Sequence, residues 1–248
     1  MSGDRDYYAE GSLSAEFYDL VTAADGSLAG DLELYAGLAP TGGSVLELGA
    51  GSGRLTFALA ALGFWVTGVE ISATMLAKAR SAAAAARVEL LHADMTALDL
   101  GRTFDLVLCP FFTLAHVAPE PGWRDTFQVA ARHLRPGGRA AFHLPLRRLM
   151  ALPPPDPGRV VFDRPLPGGG RLQLHIRDRA FDDASGRLDQ RVDYVERGPG
   201  GEVRRRSTER LTYHVADPRP FAEAAALASE GPPIPLGGAG QVWVFRRP

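Results

Sequence analysis

Lysine is nearly missing from this chain: Lys78 is the sole example among 248 residues, against 26 arginines. With abundant alanine, that bias reads as the codon usage of a G+C-rich bacterial genome, not as function. The single cysteine, Cys109, excludes an internal disulfide and, ending an apolar strand, reads first as a small buried hydrophobe. Long hydrophobic runs are also lacking. The longest, from Leu55 to Val69, is broken by Thr56, Gly63, Thr67 and Gly68 and falls short of the roughly 20 residues a membrane span needs. The opening Met1-Ser2-Gly3-Asp4-Arg5-Asp6 has acids and no apolar core of the signal-peptide kind, so a cytoplasmic protein without membrane contact is expected. An excess of either charge is absent too. A net charge of −2 gives no global field to gather nucleic acid, and none is expected as a partner. The one basic run is Arg204-Arg205-Arg206, and the arginines between Arg159 and Arg210 are interleaved with acids, which suits a solvated sheet surface.

What is present begins with composition: 46% hydrophobic and 23% charged residues suit one good core with an appended subdomain. The most informative stretch is Val45-Leu46-Glu47-Leu48-Gly49-Ala50-Gly51-Ser52-Gly53-Arg54, an apolar strand running into a glycine turn, after which Leu55 to Ala60 continues as a helix. Glycines at alternate positions remove the Cβ atoms that would keep a ligand from the backbone. A dinucleotide fingerprint would want glycine where Arg54 stands, which weakens a nicotinamide reading. A second apolar strand, Trp65 to Val69, ends in Glu70, a carboxylate placed to accept from a ribose diol. Turn and acid together indicate a nucleoside ligand.

The organisation divides in three. Residues 1–43 read as an N-terminal helical cap, with short helices at Leu13–Leu20 and Asp31–Leu38. Residues 44–146 and 217–248 read as the core, in which strands and helices alternate as in a doubly wound parallel sheet. Ala73 to Ala86 has good helix composition. Between these parts, residues 147–216 read as an antiparallel β-hairpin insertion. Pro153-Pro154-Pro155 and Pro165 to Gly170 are breaks, and strands are expected at Arg171–Phe181, Arg187–Glu196 and Val203–Ala216. Leu172, Leu174 and Ile176 alternate with Gln173, His175 and Arg177, the period of a sheet with one wet face, and the insertion is expected to serve as a lid or a homodimer surface. A helix from Pro220 to Ser229 and a last strand, Gln241 to Phe245, complete the chain, with Gly231-Pro232-Pro233-Ile234-Pro235-Leu236 as a proline-rich bypass between them.

Five ordered segments carry a resemblance: Val45 to Arg54, Val66 to Ser72, His92-Ala93-Asp94-Met95, Phe104 to Leu108, and Leu134-Arg135-Pro136-Gly137-Gly138. In order and spacing they resemble class I S-adenosylmethionine-dependent methyltransferases, with an α/β, doubly wound, Rossmann-like sheet. The resemblance implies S-adenosylmethionine as cofactor and no metal. Glu47, Gly49, Gly51 and Gly53 would cradle its methionine half, although Glu47 also suits a strand-end carboxylate satisfied by the next helix. Glu70 would take the ribose hydroxyls, Ile71 and Met75 would sandwich the adenine, Asp94 would accept from its amino group, and Met95 would offer its backbone amide. Tyr18 matches a tyrosine that closes over the cofactor carboxylate in relatives, though it equally suits plain helix packing. Ala50 and Cys109 complete the expected cofactor-binding set. A final strand tucked antiparallel between two others is also implied.

The acceptor is read from Cys109-Pro110-Phe111-Phe112-Thr113-Leu114-Ala115-His116. An Asn/Asp-Pro-Pro-aromatic tetrad, usual for enzymes that methylate bases or glutamine side chains, is absent here. The pattern resembles small-molecule methyltransferases acting on N or O, including those for amino sugars and amino acids, of the kind found in bacterial secondary metabolism. His116, just past a strand's carboxyl end, and His143, at the end of Ala140-Ala141-Phe142-His143, lie at the edge where ligands bind, and either is a candidate to take a proton from an ammonium or a phenol, or else to be a hydrogen-bonded loop histidine. Strand alternation sends Tyr213 and His214 to opposite faces, so one side of that strand at most can contribute. The same fold could also bind the cofactor for a non-methylating reaction, or act as a non-catalytic partner subunit.

Overall fold

The structure, a computed structural model, describes residues 4–82 and 87–248. The chain opens with β1 (Arg5–Asp6), α1 (Leu13–Glu16) and α2 (Tyr18–Ala23), then α3 (Asp31–Ala36) after a 3-10 turn at Gly26–Leu28. Alternation follows: β2 (Ser44–Leu48), α4 (Arg54–Ala61), β3 (Trp65–Glu70), α5 (Ala73–Ala82), β4 (Val88–His92), β5 (Phe104–Cys109), α6 (Arg124–His133) and β6 (Leu134–Pro145). After α7 (Arg147–Met150) come β7 (Val160–Pro165), β8 (Arg171–Asp182), β9 (Arg187–Arg197) and β10 (Val203–His214). The last elements are α8 (Arg219–Ala224), β11 (Ala228–Ser229), β12 (Ile234–Leu236) and β13 (Gly240–Arg246).

The main sheet runs β11-β13-β6-β5-β2-β3-β4, with β12 also paired to β13. From β6 to β4 every pairing is parallel, while β13 is antiparallel to β6 and lies inside the sheet edge. This is the strand order that the resemblance implies. Leu46, Leu48, Val107 and Phe142 pack on one face with Phe127 of α6, and Val45, Val66 and Leu106 pack on the other with Leu55 and Leu59 of α4. Burial on both faces is why these strands read as continuous apolar runs. The parallel strands therefore end along one common edge, where ligands bind in open α/β sheets.

A second sheet runs β1-β10-β9-β8-β7, antiparallel apart from the pairing of β1 with β10. Leu172, Leu174, Val192 and Tyr194 form its apolar face, covered by Leu13, Tyr7 and Phe17 of the N-terminal segment. Ion pairs cross its other face, with Arg171 on Asp163 at 2.6 Å and Asp193 between Arg177 at 3.9 Å and Arg206 at 3.6 Å. The alternation along Leu172 to Arg177 records that division.

Several expectations are corrected. The helix expected at Leu13–Leu20 is broken at Phe17. Lys78 Nζ donates to the carbonyls of Ala15 and Glu16, at 2.7 Å each, so these oxygens are held by a side chain at the end of α1. The helix expected at Pro220–Ser229 stops at Ala224, because Ala228–Ser229 pairs instead with β13, and tertiary pairing overrides alanine's helix propensity. Within the proline-rich bypass, Ile234–Leu236 forms an edge strand on β13. Strands β1 and β7 lie where none is expected. The alanine-rich helix is described from Ala73 to Ala82, and its expected last part, residues 83–86, lies outside the described residues. No helix among the described residues is long and apolar enough to cross a membrane.

Candidate active site

A cavity of about 490 Å³ lies at the carboxyl edge of the parallel strands, walled on one side by Asp6 to Glu10 of the N-terminal segment. Its floor is the glycine turn after β2. Gly49, Gly51 and Gly53 all have positive φ, at 78°, 59° and 86°, a region that favours glycine. A Cβ on Gly49 would lie 2.3 Å from Thr113 Cγ2, and one on Gly53 would lie 2.4 Å from Phe57 Cε2. The turn is thus pressed against its neighbours at Gly49 and Gly53, whereas a Cβ on Gly51 would meet nothing nearer than Tyr18 Oη, at 3.4 Å, with Met75 Cε at 3.8 Å.

At the nucleoside end, Glu70 accepts from Gly51 N and from Ser72 N, each at 2.8 Å, so it holds the loop and the entry to α5 while still lining the cavity. Ile71 is 65% exposed there, an unusual position for a large apolar side chain, with its backbone carbonyl held by His92 Nε2 at 2.8 Å. Met75 is buried beside the floor, and Met95 lines the same end. Asp94 lines it too, its Oδ1 accepting from Thr96 N at 2.8 Å.

The other end is aromatic. Tyr8 lies against Tyr18 with ring centroids 5.4 Å apart and against His116 at 5.9 Å. His116 packs edge-on to Tyr213 at 4.8 Å, Tyr213 to Phe112 at 6.4 Å, and Phe112 to His143 at 4.5 Å. These rings form a collar built from the N-terminal segment, the segment after β5, strand β10 and strand β6, of which Tyr8, Tyr18 and His116 line the cavity and Phe112, Tyr213 and His143 do not. Tyr8, Phe111 and Phe112 all take positive φ without being glycine, at 62°, 47° and 61°. Such backbone strain collects where a site must hold side chains in fixed directions.

No charge resides on the collar rings near neutral pH. Burial raises the hydroxyl pKa of Tyr8, Tyr18 and Tyr213 and lowers both His116 and His143 to about 4. His116 is open to the cavity yet enclosed by protein, which explains an exposed ring with a depressed pKa. His143 is fully buried, and neither ring nitrogen has a partner among the described residues.

The structure thus brings Tyr18, Gly49, Gly51 and Glu70 together with Ile71, Met75, Asp94, Met95 and His116 around one cavity. Glu47, Ala50, Gly53, Cys109 and His143 do not line it. Glu47 is buried beneath the loop, accepts from Thr56 Oγ1 of α4, and is pushed up to about 8 by burial. Ala50 N donates to Val69 O at 2.9 Å, which ties the loop to β3. Cys109 is fully buried, and burial pushes its thiol far above the ordinary range. Sequence reasoning missed Tyr7, Tyr8 and Thr113 as lining residues. The adjacent tyrosines in an otherwise polar N-terminus were the available signal.

Comparison with known proteins accords with this geometry. Residues 45–138 match a family described as a methyltransferase domain. A dTDP-3-amino-3,6-dideoxy-alpha-D-glucopyranose N,N-dimethyltransferase from Streptomyces fradiae is 36% identical over 129 residues, covering 50% of this chain and 50% of that protein. The chain thus spans about half the length of that curated relative. Among solved structures, the CcbJ methyltransferase from Streptomyces caelestis superposes with a TM-score of 0.73 at 24% identity, over 99% of each chain. The glycopeptide N-methyltransferase MtfA, complexed with S-adenosyl-L-homocysteine, gives 0.57 at 25% identity over 98% of this chain and 92% of its own. Glycine loop, acidic strand end and strand order accord with the match: residues 45–138 carry a methyltransferase domain, and the chain has the fold of the solved methyltransferases.

Proposed function

We propose that this protein transfers a methyl group from S-adenosylmethionine to an amine nitrogen of a small molecule of the amino-sugar type. The observation that carries the reading is the two-ended cavity, with carboxylates and an open isoleucine at one end and an uncharged aromatic collar at the other. The cofactor fits the first end. Glu70 and Asp94 present acceptor oxygens there, Ile71 offers an apolar face that an adenine would cover, and the bare backbone of Gly51 leaves room for close approach. When bound, the cofactor supplies an electrophilic methyl group on a sulfonium. Tyr8, Tyr18 and His116 form the part of the collar that would orient the acceptor and exclude water.

Proton handling favours nitrogen over oxygen. With a pKa of about 4, His116 is a poor base for a hydroxyl proton, and His143 does not line the cavity, whereas a neutral amine attacks without first losing a proton and the ammonium formed can release one to water afterwards. The named activity of the Streptomyces fradiae relative, an amino-sugar N,N-dimethyltransferase, supports the same choice, and a place in secondary metabolism accords with it.

The test is a panel of small molecules in matched amine and hydroxyl forms, including dTDP-3-amino-3,6-dideoxyglucose and its 3-hydroxyl counterpart, incubated with S-adenosylmethionine. S-adenosylhomocysteine release with a mass gain of one methyl on amines is the expected result. Methylation of hydroxyl compounds alone would overturn the choice of nitrogen, and cofactor turnover without a methylated product would overturn methyl transfer itself.

A further inference from the structure

Four carboxylates line the cavity, those of Asp6, Glu10, Glu70 and Asp94. Three of them are engaged: Asp6 pairs with Arg210 at 3.4 Å, Glu70 accepts from Gly51 N and Ser72 N, and Asp94 accepts from Thr96 N. The carboxylate of Glu10, exposed at the wall, has no hydrogen-bond or ion-pair partner among the described residues. No arginine or lysine lines the cavity among the described residues, and residues 1–3 and 83–86 contain none. Arg5, whose Nη1 donates to the Glu10 carbonyl at 3.1 Å, and Arg210 belong to the surroundings and not to the lining.

The rest of the lining adds no positive charge. Tyr7, Tyr8, Tyr18 and Phe111 bring aromatic rings, whose faces attract cations and not anions. His116, lowered to about 4 by burial, is neutral at working pH. Room is short as well. A volume of about 490 Å³ lies within the roughly 300–1,000 Å³ usual for one small-molecule ligand, and here the cofactor and the reacting part of the acceptor share it. A sugar linked to a nucleoside diphosphate brings a second nucleoside and two phosphates besides. Against this lining the phosphates would lose water, face carboxylates and find no cation in exchange.

We propose that the acceptor of this site is a small amine carrying no phosphate, a free amino sugar or a simple glycoside of one, which the unpaired carboxylate of Glu10 selects over nucleoside diphosphate sugars. This inference rests on the amine reading above, and it departs from the dTDP-linked sugar in the name of the Streptomyces fradiae relative. An alkylammonium is drawn to an acidic mouth, releases its proton to solvent there and passes inward as the neutral amine, whereas a diphosphate is repelled at the same place.

The experiment gives wild type and Glu10→Lys the same amine in two forms, 3-amino-3,6-dideoxyglucose as its methyl glycoside and as its dTDP conjugate, each with S-adenosylmethionine. Glu10 is exposed, so the replacement leaves the packing alone. Wild type is expected to show a kcat/KM at least about tenfold higher for the glycoside, and Glu10→Lys to narrow that ratio by about threefold or more. Calorimetric titration of dTDP into the wild-type complex with S-adenosylhomocysteine is expected to show no binding. Equal use of the two forms, or preference for the dTDP conjugate, overturns the inference and leaves the amine reading standing. A ratio unchanged in Glu10→Lys also overturns it, because selection would then owe nothing to this charge. Binding of dTDP with a Kd below about 100 μM overturns it whatever the acceptor. Wild type that methylates neither amine form overturns the inference, and methylation of hydroxyl compounds alone overturns the amine reading with it.

Discussion

Glu70, at the end of β3, accepts a hydrogen bond from Gly51 N at 2.8 Å, so the acid of one strand holds the glycine loop that follows its neighbour. Its second oxygen holds Ser72 N at the start of α5, also at 2.8 Å. One side chain therefore joins the two backbone segments between which a nucleoside would lie.

Glu70→Ala removes both anchors together with any contact to a ribose. Cofactor affinity is expected to fall by about 1.5–3 kcal/mol, the range for hydrogen bonds to a charged group, and thermal stability to fall with it. Glu70→Gln retains one acceptor oxygen and should lose less of both. Calorimetric titration with S-adenosylhomocysteine alongside thermal melts checks this. Unchanged affinity with lowered stability would reduce Glu70 to a purely structural anchor.

The glycine turn distinguishes a packing role from a ligand role. Gly51→Val directs a branched side chain toward the cavity from a backbone at φ 59°, so it should abolish cofactor binding while the chain still folds. Gly49→Ala brings a Cβ to 2.3 Å from Thr113 Cγ2, so it should chiefly destabilise the fold. Adding Thr113→Ala should restore part of that stability. Melting curves separate the two cases, and normal cofactor binding by a folded Gly51→Val protein would remove the turn from the site.

His116 offers a kinetic test. Because burial lowers it to about 4, it is neutral across the working range, and His116→Asn should raise the acceptor KM with kcat largely kept. The rate profile should show no limb near the ordinary histidine value. A loss of roughly 10²–10⁴-fold in kcat, with a lost limb near neutrality, would instead establish His116 as a general base.

Stability against pH has a definite sign. His116 and His143 titrate near 4 in the native chain against 6.5 normally, so the unfolded chain takes up protons first and stability falls as pH drops through that window. Glu47, at about 8 against 4.5, keeps a proton that the unfolded chain releases, so its contribution is lost as pH rises from 4.5 to 8. Two histidines outweigh one carboxylate below 6.5, and Glu47 acts alone above it. These groups place the optimum near pH 6.5. In melts across pH, His143→Leu should flatten the acid side and Glu47→Gln the decline toward pH 8. Slopes unaltered by both variants would refute the assignment.

The central sheet was legible because parallel strands covered on both faces write their burial into the chain, as Val45 to Leu48 and Phe104 to Cys109 do. The alternation at Leu172 to Arg177 was legible for the opposite reason, one dry face and one wet. What escaped depended on distant partners. Arg5–Asp6 has no pattern of its own, and its strand exists because β10 lies beside it. Ala228–Ser229 carries helix-forming composition and is drawn into the sheet by β13. Pro235 argued against a strand, yet an edge position tolerates it.

The site shows the same division. Gly51, Glu70, Ile71 and Asp94 could be placed from local motifs, since turn chemistry and strand ends are local. Tyr8 could not, because its neighbours Tyr18, Ser72 and His116 come from separate stretches of chain. Glu47 left two readings open from sequence, a ligand or a strand-end carboxylate satisfied by the next helix, and in the structure it accepts from Thr56 Oγ1 of that helix.

The wall that Asp6 to Glu10 gives the cavity is held from the far end of the chain. Glu209 accepts from Leu13 N across 196 positions, and β1 pairs with β10. On a ribosome, this segment would emerge well before β10 and would wait for that strand before reaching its place. The glycine turn and Glu70 can assemble long before that, so the folding nascent chain would pass through a stage with a formed nucleoside edge and an open side. Closure of the cavity is then timed by synthesis of β10, and a chain ended before Val203 would keep the floor of the site without this wall.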